Sequence, residues 1–318
     1  MKPSPGRLLT AAGPFLGLLL VIAFFSFDSE VRSYFLTTYN FKIILTQTVI
    51  VAIGSLGMTL IIVSGGIDLS VGSVIALAGV VGALVLKEGG GTFAAIAAAV
   101  LTGGVVGLVN GGLIASLRIM PFVVTLGMLG IARGAAKWLG ANQTVQYPDS
   151  PLNGLMTSAD PLSSMPPTGV WIALVLAVLT AVMLRKTVFG RHIFALGSNE
   201  ATARLCGLPV FRLKIAIYGL AGLYFGLSGL LQMTRLRQGD PTVAVGVELD
   251  IIAAVVIGGA SLSGGTGTVL GSLIGALIMA VLRNGSQQMG WPTYVQEIII
   301  GMVIIMAVAI DRFRQKRN

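Results

Sequence analysis

Charged residues are scarce in this sequence. Only 21 of 318 residues are basic and 12 are acidic, which is 10% of the chain, whereas soluble domains carry roughly 25%. Hydrophobic residues make up 55%, and the mean hydropathy is +0.90. So few charges cannot cover a soluble protein of this size, and a water-soluble enzyme is excluded. The composition predicts an all-α, polytopic integral membrane protein in contact with a lipid bilayer. The net charge of +9 is then a topology signal rather than the footprint of a nucleic-acid partner.

Cysteine and histidine are almost absent. Cys206 and His192 are the only residues of their kinds, which excludes an internal disulfide, a thiolate metal cluster and a histidine-rich metal site. No Gly-x-x-x-x-Gly-Lys-[Ser/Thr] phosphate loop occurs. We therefore expect no catalytic residue, metal or cofactor in this chain. If ATP and Mg are used, they belong to a partner ATPase.

Long apolar runs are abundant, and a membrane span needs roughly 20 such residues. The first run follows Lys2 and Arg7, but no Ala-x-Ala cleavage site follows it, so we interpret it as an uncleaved span rather than a signal peptide. About ten transmembrane helices are predicted, at residues 11–27, 43–63, 69–86, 93–115, 121–139, 170–184, 215–234, 249–263, 266–283 and 293–310.

Residues 251–282 form a 32-residue stretch without charge. One helix of this length would measure about 48 Å, too long for a bilayer core of about 30 Å, and the stretch is too short for two ordinary spans. Glycines are frequent in it. This pattern favours short or interrupted helices joined by a glycine-rich bend.

Charge placement predicts the topology of a single transmembrane domain, residues 1–318. Residues 185–214 carry six basic residues and one acid, and residues 311–318 carry four basic residues, so both are expected in the cytoplasm together with residues 1–10. Residues 140–169 contain five prolines and no Lys or Arg. This stretch is expected to be the large loop on the outer, periplasmic side.

A glycine motif occurs twice. Residues 65–72 and residues 258–265 both read Gly-Gly-x-x-Leu-Ser-x-Gly when their first glycines are aligned, and each copy is followed by an Asn-Gly step, at Asn110 and Asn284. Glycine-rich turns could simply recur in a glycine-rich protein. The shared order of features favours two related halves, which are parallel because the motifs lie six spans apart.

Asp68 is the only charged residue between Lys42 and Lys87. A carboxylate at mid-membrane is costly, so Asp68 either lines the translocation pathway or stabilises the helix break. The alternative, which we favour, is a helix cap at the cytoplasmic interface. The other candidates for the pathway or the helix breaks are Ser70, Asn110, Glu248, Asp250, Ser261, Ser263 and Asn284.

Each of these candidates also has a simpler interpretation. Glu248 and Asp250 would complement the dipole of a helix N-terminus, and the two asparagines would form interhelical hydrogen bonds. Glycines four residues apart, such as Gly103 and Gly107, are expected to allow close helix packing.

Residues 189–207 are basic, with apolar side chains at helical spacing. A short amphipathic helix here could dock in a groove of a partner protein. It could instead lie on anionic lipid headgroups.

Several blocks together are distinctive: residues 62–73, Asn110-Gly111 leading to Pro121-Phe122, residues 189–207, residues 246–253 and residues 256–259. They resemble the permease subunits of ATP-binding-cassette (ABC) importers of the ribose, xylose, arabinose and galactofuranose family, over roughly residues 40–311. The resemblance implies a dimer of this chain with itself or a paralogue, cytoplasmic ATPases, a periplasmic sugar-binding protein and a location in the bacterial inner membrane. It also implies an ATPase-coupling helix, for which the candidates are Gly190, Ala195, Gly197, Asn199, Glu200, Ala201, Arg204 and Gly207.

Two functions remain from the sequence. The first is the membrane-spanning subunit of an ATP-driven monosaccharide importer. The alternative is a self-contained, ion-coupled secondary transporter, but such a carrier usually needs paired ionisable groups within the membrane, and the spans offer little beyond Asp68.

Overall fold

The structure is a computed structural model that describes residues 5–157 and 165–315, and most of these residues are helical. A short 3₁₀ helix lies at Pro151–Leu155, and two two-residue strands, β1 (Val145–Gln146) and β2 (Gln238–Gly239), pair antiparallel. The α-helices within the described residues are α1 (Pro5–Phe27), α2 (Ser29–Phe35), α3 (Thr38–Val63), α4 (Val71–Lys87), α5 (Thr92–Leu117), α6 (Pro121–Leu139), α7 (Thr168–Lys186), α8 (Val188–Ser198), α9 (Glu200–Leu205), α10 (Val210–Leu236), α11 (Val247–Ile257), α12 (Val269–Gln288) and α13 (Thr293–Gln315).

Six of the described helices, α3, α5, α6, α7, α10 and α12, are long and apolar enough to cross a membrane. Shorter apolar helical stretches occur at Gly13–Phe27, Val71–Lys87 and Thr293–Met306. These nine correspond to nine of the ten predicted spans. The remaining one, predicted at 249–263, is α11, whose 11 residues measure about 16 Å and cannot cross a core of about 30 Å. The predicted all-α, polytopic architecture is confirmed, with α11 as a half-length helix.

The predicted ends and outer loop lie partly outside the described residues, namely at 1–4, 158–164 and 316–318. As far as the structure describes them, the two ends are helical, because α1 begins at Pro5 and α13 continues to Gln315. The predicted outer loop contains β1 and the 3₁₀ helix. Pairing of β1 with β2 ties this loop to the chain that follows α10.

Helices α5 and α10 pack closely over an extensive contact, and glycines make this possible. A Cβ atom on Gly103 would meet the backbone of Gly222 and Gly226, and one on Gly107 would meet the backbone of Tyr218. Small residues let two backbones approach in this way. The interpretation of these glycines as packing residues is confirmed.

The two glycine-rich breaks meet at one face of the molecule. The amide of Gly265, in the second break, donates to the carbonyl of Val63, the last residue of α3, at 2.9 Å. Helices α3 and α11 therefore run toward the same face, and α4 and α12 lead away from it. The pair α3 and α4 is therefore parallel to the pair α11 and α12, and the wider relation of two halves stays a prediction.

Candidate functional site

The two breaks begin with the same turn. Gly65 after α3 has φ +85° and Gly259 after α11 has φ +92°. In each break, the amide of the residue after this glycine donates to the carbonyl five residues before that amide. Gly66 donates to Ile61 at 2.9 Å, and Ala260 donates to Val255 at 3.1 Å. A left-handed residue followed by this hydrogen bond is a Schellman cap, which glycine adopts without a Cβ clash.

This geometry corrects the alignment of the repeat. The sequence pairs the first glycines of the two motifs, Gly65 and Gly258, but the equivalent left-handed residues are Gly65 and Gly259. The predicted register is wrong by one residue because it maximised identical letters. In the second motif, Gly258 is still in right-handed helical conformation at the end of α11.

Asp68 ties the first break to its surroundings. It is only 1% exposed, and one carboxylate oxygen accepts from the Ser70 amide at 2.7 Å and from the Ser70 hydroxyl at 2.6 Å. The other oxygen accepts from the Asn110 side-chain amide at 3.3 Å, and the Leu69 amide donates to the hydroxyl of Thr125 at 3.1 Å. The chain between α3 and α4 is thus held by α5 and α6. Asp68 therefore closes a turn onto Ser70, the residue just before α4, and the Ser70 side chain caps no amide of α4. The predicted helix cap and a pathway role for Asp68 and Ser70 both stay predictions.

Two polar atoms beside Asp68 lack a hydrogen-bond partner among the described residues. They are Oδ1 of Asn110 and the hydroxyl of Tyr218, both buried. The Tyr218 hydroxyl lies directly over Gly66, at the place where a Cβ atom would be. No local pattern in the sequence marks Tyr218, which belongs to a helix distant along the chain, whereas Thr125 lies in a block, Thr125-Leu126-Gly127, that contributes to the family resemblance.

Besides the bond from Gly265 to Val63, the second break has hydrogen bonds between its own residues. The Ser263 amide donates to the Ser261 hydroxyl at 3.2 Å, and the Ser261 amide donates to the carbonyl of Thr266 at 3.1 Å. Asn284 lies far from this turn, near the end of α12, where it accepts from the Gln288 side chain at 3.2 Å. Asn110 instead reaches the first break, so the two Asn-Gly steps are not structural equivalents.

The predicted coupling segment contains α8 and α9, as its helical spacing predicts. Thr187 caps α8, with the Gly190 amide donating to its hydroxyl at 3.1 Å, and Asn199 caps α9, with the Thr202 amide donating at 2.9 Å. Gly190 packs on the backbone of Leu184, where a Cβ atom would clash. The apolar face of this segment is buried, at Ile193, Leu196 and Ala203.

Gly197, near the end of α8, contacts both breaks. A Cβ atom there would meet the carbonyl of Val63 and would lie 2.7 Å from the amide of Gly265. A Cβ atom on Gly264 would similarly lie 2.9 Å from the Cα of Gly65. Backbone packs directly on backbone where the two breaks and α8 converge. Movement of α8 would therefore be transmitted to both interrupted helices.

The opposite face of the coupling segment is exposed, at Ala195, Asn199, Ala201, Arg204 and Gly207. Half-buried Glu200 forms ion pairs with Lys214 at 2.8 Å and with Arg204 at 3.0 Å. Partial burial raises the pKa of Glu200, but the hydrogen bonds and charges of Lys214 and Arg204 hold this pKa below its ordinary value. The carboxylate therefore stays charged at neutral pH. Docking of an ATPase on this face stays a prediction.

Asp250 has a partner that the sequence analysis missed. Its side chain accepts from the Arg283 guanidinium at 2.7 Å and 2.6 Å, so an ion pair links α11 to α12. Glu248 lies in the first turn of α11 and accepts from the Gly246 amide at 3.2 Å. Arg283 lies 33 residues after Asp250, and only the glycine-rich bend brings the two together.

Known proteins are similar to this chain over most of its length. The family described as branched-chain amino acid transport system / permease component matches residues 40–308. The ribose import permease protein RbsC of Escherichia coli K12 is 40% identical, over 94% of this chain and 93% of that protein. The RbsC protein of Bacillus subtilis is 38% identical, over 94% and 92%, respectively.

A third relative, the L-arabinose ABC transporter permease protein AraH of Azospirillum brasilense, is 37% identical over 89% of this chain and 83% of its own length. No solved structure matches the chain. The family match covers well over half of the sequence, and the relatives match most of it. The chain therefore belongs to the family of transport-system permease components, which are polytopic membrane proteins.

Proposed function

We propose that this chain is the membrane-spanning subunit of an ABC importer and forms the pathway for a monosaccharide. The names of its relatives support this substrate class, since they are permeases for ribose and L-arabinose. In this proposal ATP and Mg are bound by cytoplasmic ATPases and a periplasmic binding protein delivers the sugar. A second permease, identical or paralogous, completes the pathway in the bacterial inner membrane, with both termini in the cytoplasm.

The observation that carries the proposal is the convergence of Gly197 with both breaks. In this proposal, ATP is hydrolysed on a partner subunit, because this chain has no phosphate loop. The resulting motion must then pass to the transmembrane helices through a packing contact. Helix α8 packs by its backbone on the end of α3 and on the loop before α12. An ATPase that pushes on α8 and α9 would shift the two interrupted helices together between two arrangements.

Substitution of Gly197 tests this transmission. The change Gly197→Ala places a methyl group against the Val63 carbonyl and the Gly265 amide, so α8 must move away from both breaks. We expect ATP hydrolysis by the reconstituted complex to continue, whereas ATP-dependent sugar uptake falls at least tenfold. The matched control is Gly127→Ala, because a Cβ atom at this position of α6 has open space within 4 Å.

Energy depletion separates the proposal from an ion-coupled carrier. Uptake by the complete complex should stop when ATP is depleted and should continue when a proton uncoupler is added. Uptake that survives ATP depletion and collapses with the uncoupler would overturn the proposal. Equal uptake by the Gly197→Ala and Gly127→Ala variants would show that the α8 contact does not transmit the work.

A further inference from the structure

Residues 240–246, which we call the linker segment, join β2 to α11 without forming a helix. A Cβ atom on Gly239, just before this segment, would meet the backbone of Val80 in the middle of α4. Near the other end of the segment, the Ala244 carbonyl lies against Gly72 in the first turn of α4. The helix rises about 12 Å between Gly72 and Val80. The linker segment therefore runs about 12 Å along α4, toward the face where the two breaks meet.

The linker segment and α11 together are long enough for one membrane crossing. Helix α11 alone rises about 16 Å. The linker segment brings the length to about 28 Å, which is close to the core thickness of about 30 Å. Transporters contain interrupted spans of this kind. A non-helical half near β2 and a helical half near the second break would together complete the crossing that α11 alone cannot make.

A non-helical stretch at membrane depth is stable only when its backbone groups find partners within the protein. Arg133 of α6 supplies two such partners, since its Nη1 atom donates to the carbonyl of Pro241 at 2.8 Å and to that of Val243 at 2.7 Å. A carboxylate oxygen of Asp240 accepts from the Thr242 amide at 2.7 Å. Charged side chains thus replace the hydrogen bonds that a helix would form within its own backbone.

Two acids balance the charge of the guanidinium. The carboxylates of Asp240 and Glu248 both attract Arg133, and one oxygen of Glu248 accepts from the Gly246 amide at 3.2 Å. A Cβ atom on Gly72 would meet the other Glu248 oxygen, so the start of α11 lies against the start of α4. Three charged groups thereby hold the linker segment and the first turn of α11 to α4 and α6. Ionisable groups within membrane spans are costly and mark functional positions.

Helix α11 has a left-handed residue at each end, Gly246 before it (φ +81°) and Gly259 after it (φ +92°). Near the first of these ends, Arg133 fixes the chain to α6. Beyond the other end, Gly197 of α8 packs on Gly265 of the second break. A displacement that α8 applies at the second break would therefore turn α11 about its fixed end. Without the contact to α6, α11 would move as a whole with the break.

We propose that the linker segment and α11 form one discontinuous span, and that Arg133 is the positioning residue that makes the Gly246 end of α11 a fixed pivot. The inference rests on the proposed function, in which an ATPase moves α8. It adds a second requirement, because motion at the second break turns α11 only while Arg133 holds the carbonyls of Pro241 and Val243. Arginine suits this position, since its planar guanidinium presents several donors and keeps its charge.

Uptake and ATP hydrolysis by reconstituted complexes test Arg133. Arg133→Met keeps an unbranched side chain and removes every donor. We expect ATP hydrolysis to continue, whereas ATP-dependent uptake of D-ribose or L-arabinose, whichever the wild-type complex transports, falls at least tenfold. Arg133→Lys keeps the charge but loses the guanidinium, and uptake should fall about threefold. Lys137→Met is the matched control, because Lys137 is an exposed cation one turn further along α6. Its uptake should stay within about twofold of the wild type.

Maleimide labelling reports the position of the linker segment itself. Val245 of this segment is 73% exposed, and Val245→Cys in a Cys206→Ser background places a single thiol there. A separate Gln287→Cys thiol on α12 lines the same cavity and measures access to it. The ratio of the two labelling rates should differ less than twofold between the nucleotide-free complex and one trapped with ATP and vanadate. In the Arg133→Met variant this ratio should change about threefold or more, because the linker segment then moves with α11.

The outcomes separate this inference from the proposed function. Uptake by Arg133→Met within about twofold of the Lys137→Met control overturns the role of Arg133, and so does a rate ratio that responds to nucleotide equally with and without Arg133. Loss of ATP hydrolysis together with uptake would show that Arg133 serves assembly alone, which also overturns the pivot. If Arg133→Met does not fold, Arg133→Lys undergoes the same two measurements with smaller expected changes. A wild-type complex that takes up no monosaccharide with ATP overturns the proposed function itself.

Discussion

At the scale of single residues, the two aspartates within the apolar part of the chain are stabilised in different ways. Asp68 accepts hydrogen bonds from an amide, a hydroxyl and a side-chain amide, and these are neutral donors. Asp250 accepts from the guanidinium of Arg283 and keeps one oxygen free. A buried carboxylate is stable when its oxygens have hydrogen-bond or charged partners. The neutral donors around Asp68 hold the first break, whereas the Arg283 guanidinium links the Asp250 carboxylate of α11 to α12.

Removal of the Asp68 carboxylate should destabilise the first break. Asp68→Ala leaves the Ser70 amide and the Ser70 hydroxyl without their acceptor in a buried site, whereas the Asn110 amide keeps the Ser70 hydroxyl oxygen at 3.1 Å. Each unsatisfied buried group costs about 1–3 kcal/mol, so we expect a clearly lower midpoint of thermal unfolding in detergent. Asp68→Asn retains one acceptor oxygen and should lose less.

The control for this measurement is Asp149→Ala, which removes an exposed carboxylate from the predicted outer loop. Its unfolding midpoint should stay within about 1 °C of the wild type, since exposed substitutions usually change stability by less than about 0.5 kcal/mol. An Asp68→Ala variant as stable as this control would contradict the interpretation of Asp68 as the residue that holds the break.

The sequence identifies both aspartates but only some of their partners. Asp68 is an isolated charge in an apolar run, Asp250 lies at the start of such a run, and the two Asp68 partners, Ser70 and Asn110, were also predicted candidates. Arg283 and Tyr218 were not predicted, because nothing in their local sequence distinguishes them from other charged or polar residues near the ends of predicted spans. Their importance arises from tertiary contacts across 33 residues or more along the chain, for instance from Asp250 to Arg283 and from Gly66 to Tyr218.

At the scale of helices, glycine determines both the breaks and the close packing. Gly65 and Gly259 end helices because they adopt φ values that other residues avoid. Gly103 and Gly107 instead lie inside α5, where their lack of a side chain lets α10 approach. Spacing in the sequence reveals the packing glycines, because close helix contacts need small residues four positions apart. It does not reveal which glycine of a Gly-Gly pair has a positive φ, and the predicted register of the repeat was therefore wrong by one residue.

At the α5–α10 contact, Gly→Ala substitutions at two positions of α5 are expected to change the stability of the protein in opposite directions. Gly107→Ala brings a methyl group against the Tyr218 carbonyl and within 3.0 Å of the Gly222 Cα, and overpacking of this kind costs about 1–3 kcal/mol. Gly112→Ala, one turn further along α5, meets no atom within 4 Å. Alanine is favoured over glycine in a helix by about 1 kcal/mol, so this variant should be slightly more stable.

Thermal unfolding of the two purified variants in the same detergent measures the difference. We expect Gly107→Ala to unfold below the wild type and Gly112→Ala at or above it. Equal midpoints for the two would show that α5 and α10 can separate without cost, and the backbone-to-backbone contact would then contribute little to stability.

At the scale of the whole molecule, α10 separates the coupling segment from the β1–β2 pair. Helix α10 has 27 residues and measures about 40 Å, which exceeds a bilayer core of about 30 Å. Cys206 lies just before it and β2 just after it, so the two must be on opposite sides of the membrane. The β1–β2 pair lies at one end of α10, and the two breaks meet α8 at the other end. The sequence predicts that the α8 end is cytoplasmic and the β1–β2 end is periplasmic.

Cysteine labelling determines which end of α10 faces the cytoplasm and which faces the periplasm. Cys206 is the only cysteine in the sequence and is exposed, and the basic residues of 185–214 predict that it faces the cytoplasm. A membrane-impermeant maleimide should label it in inside-out vesicles and not in intact cells whose outer membrane has been made permeable. In a Cys206→Ser background, Gln146→Cys in β1 should give the reverse pattern, because β1 pairs with β2 beyond the far end of α10. Labelling of Cys206 from the periplasmic side would show that the protein has the opposite orientation to the predicted one. It would also place α8 and α9 where no cytoplasmic ATPase could reach them, so the proposed coupling would fail with it.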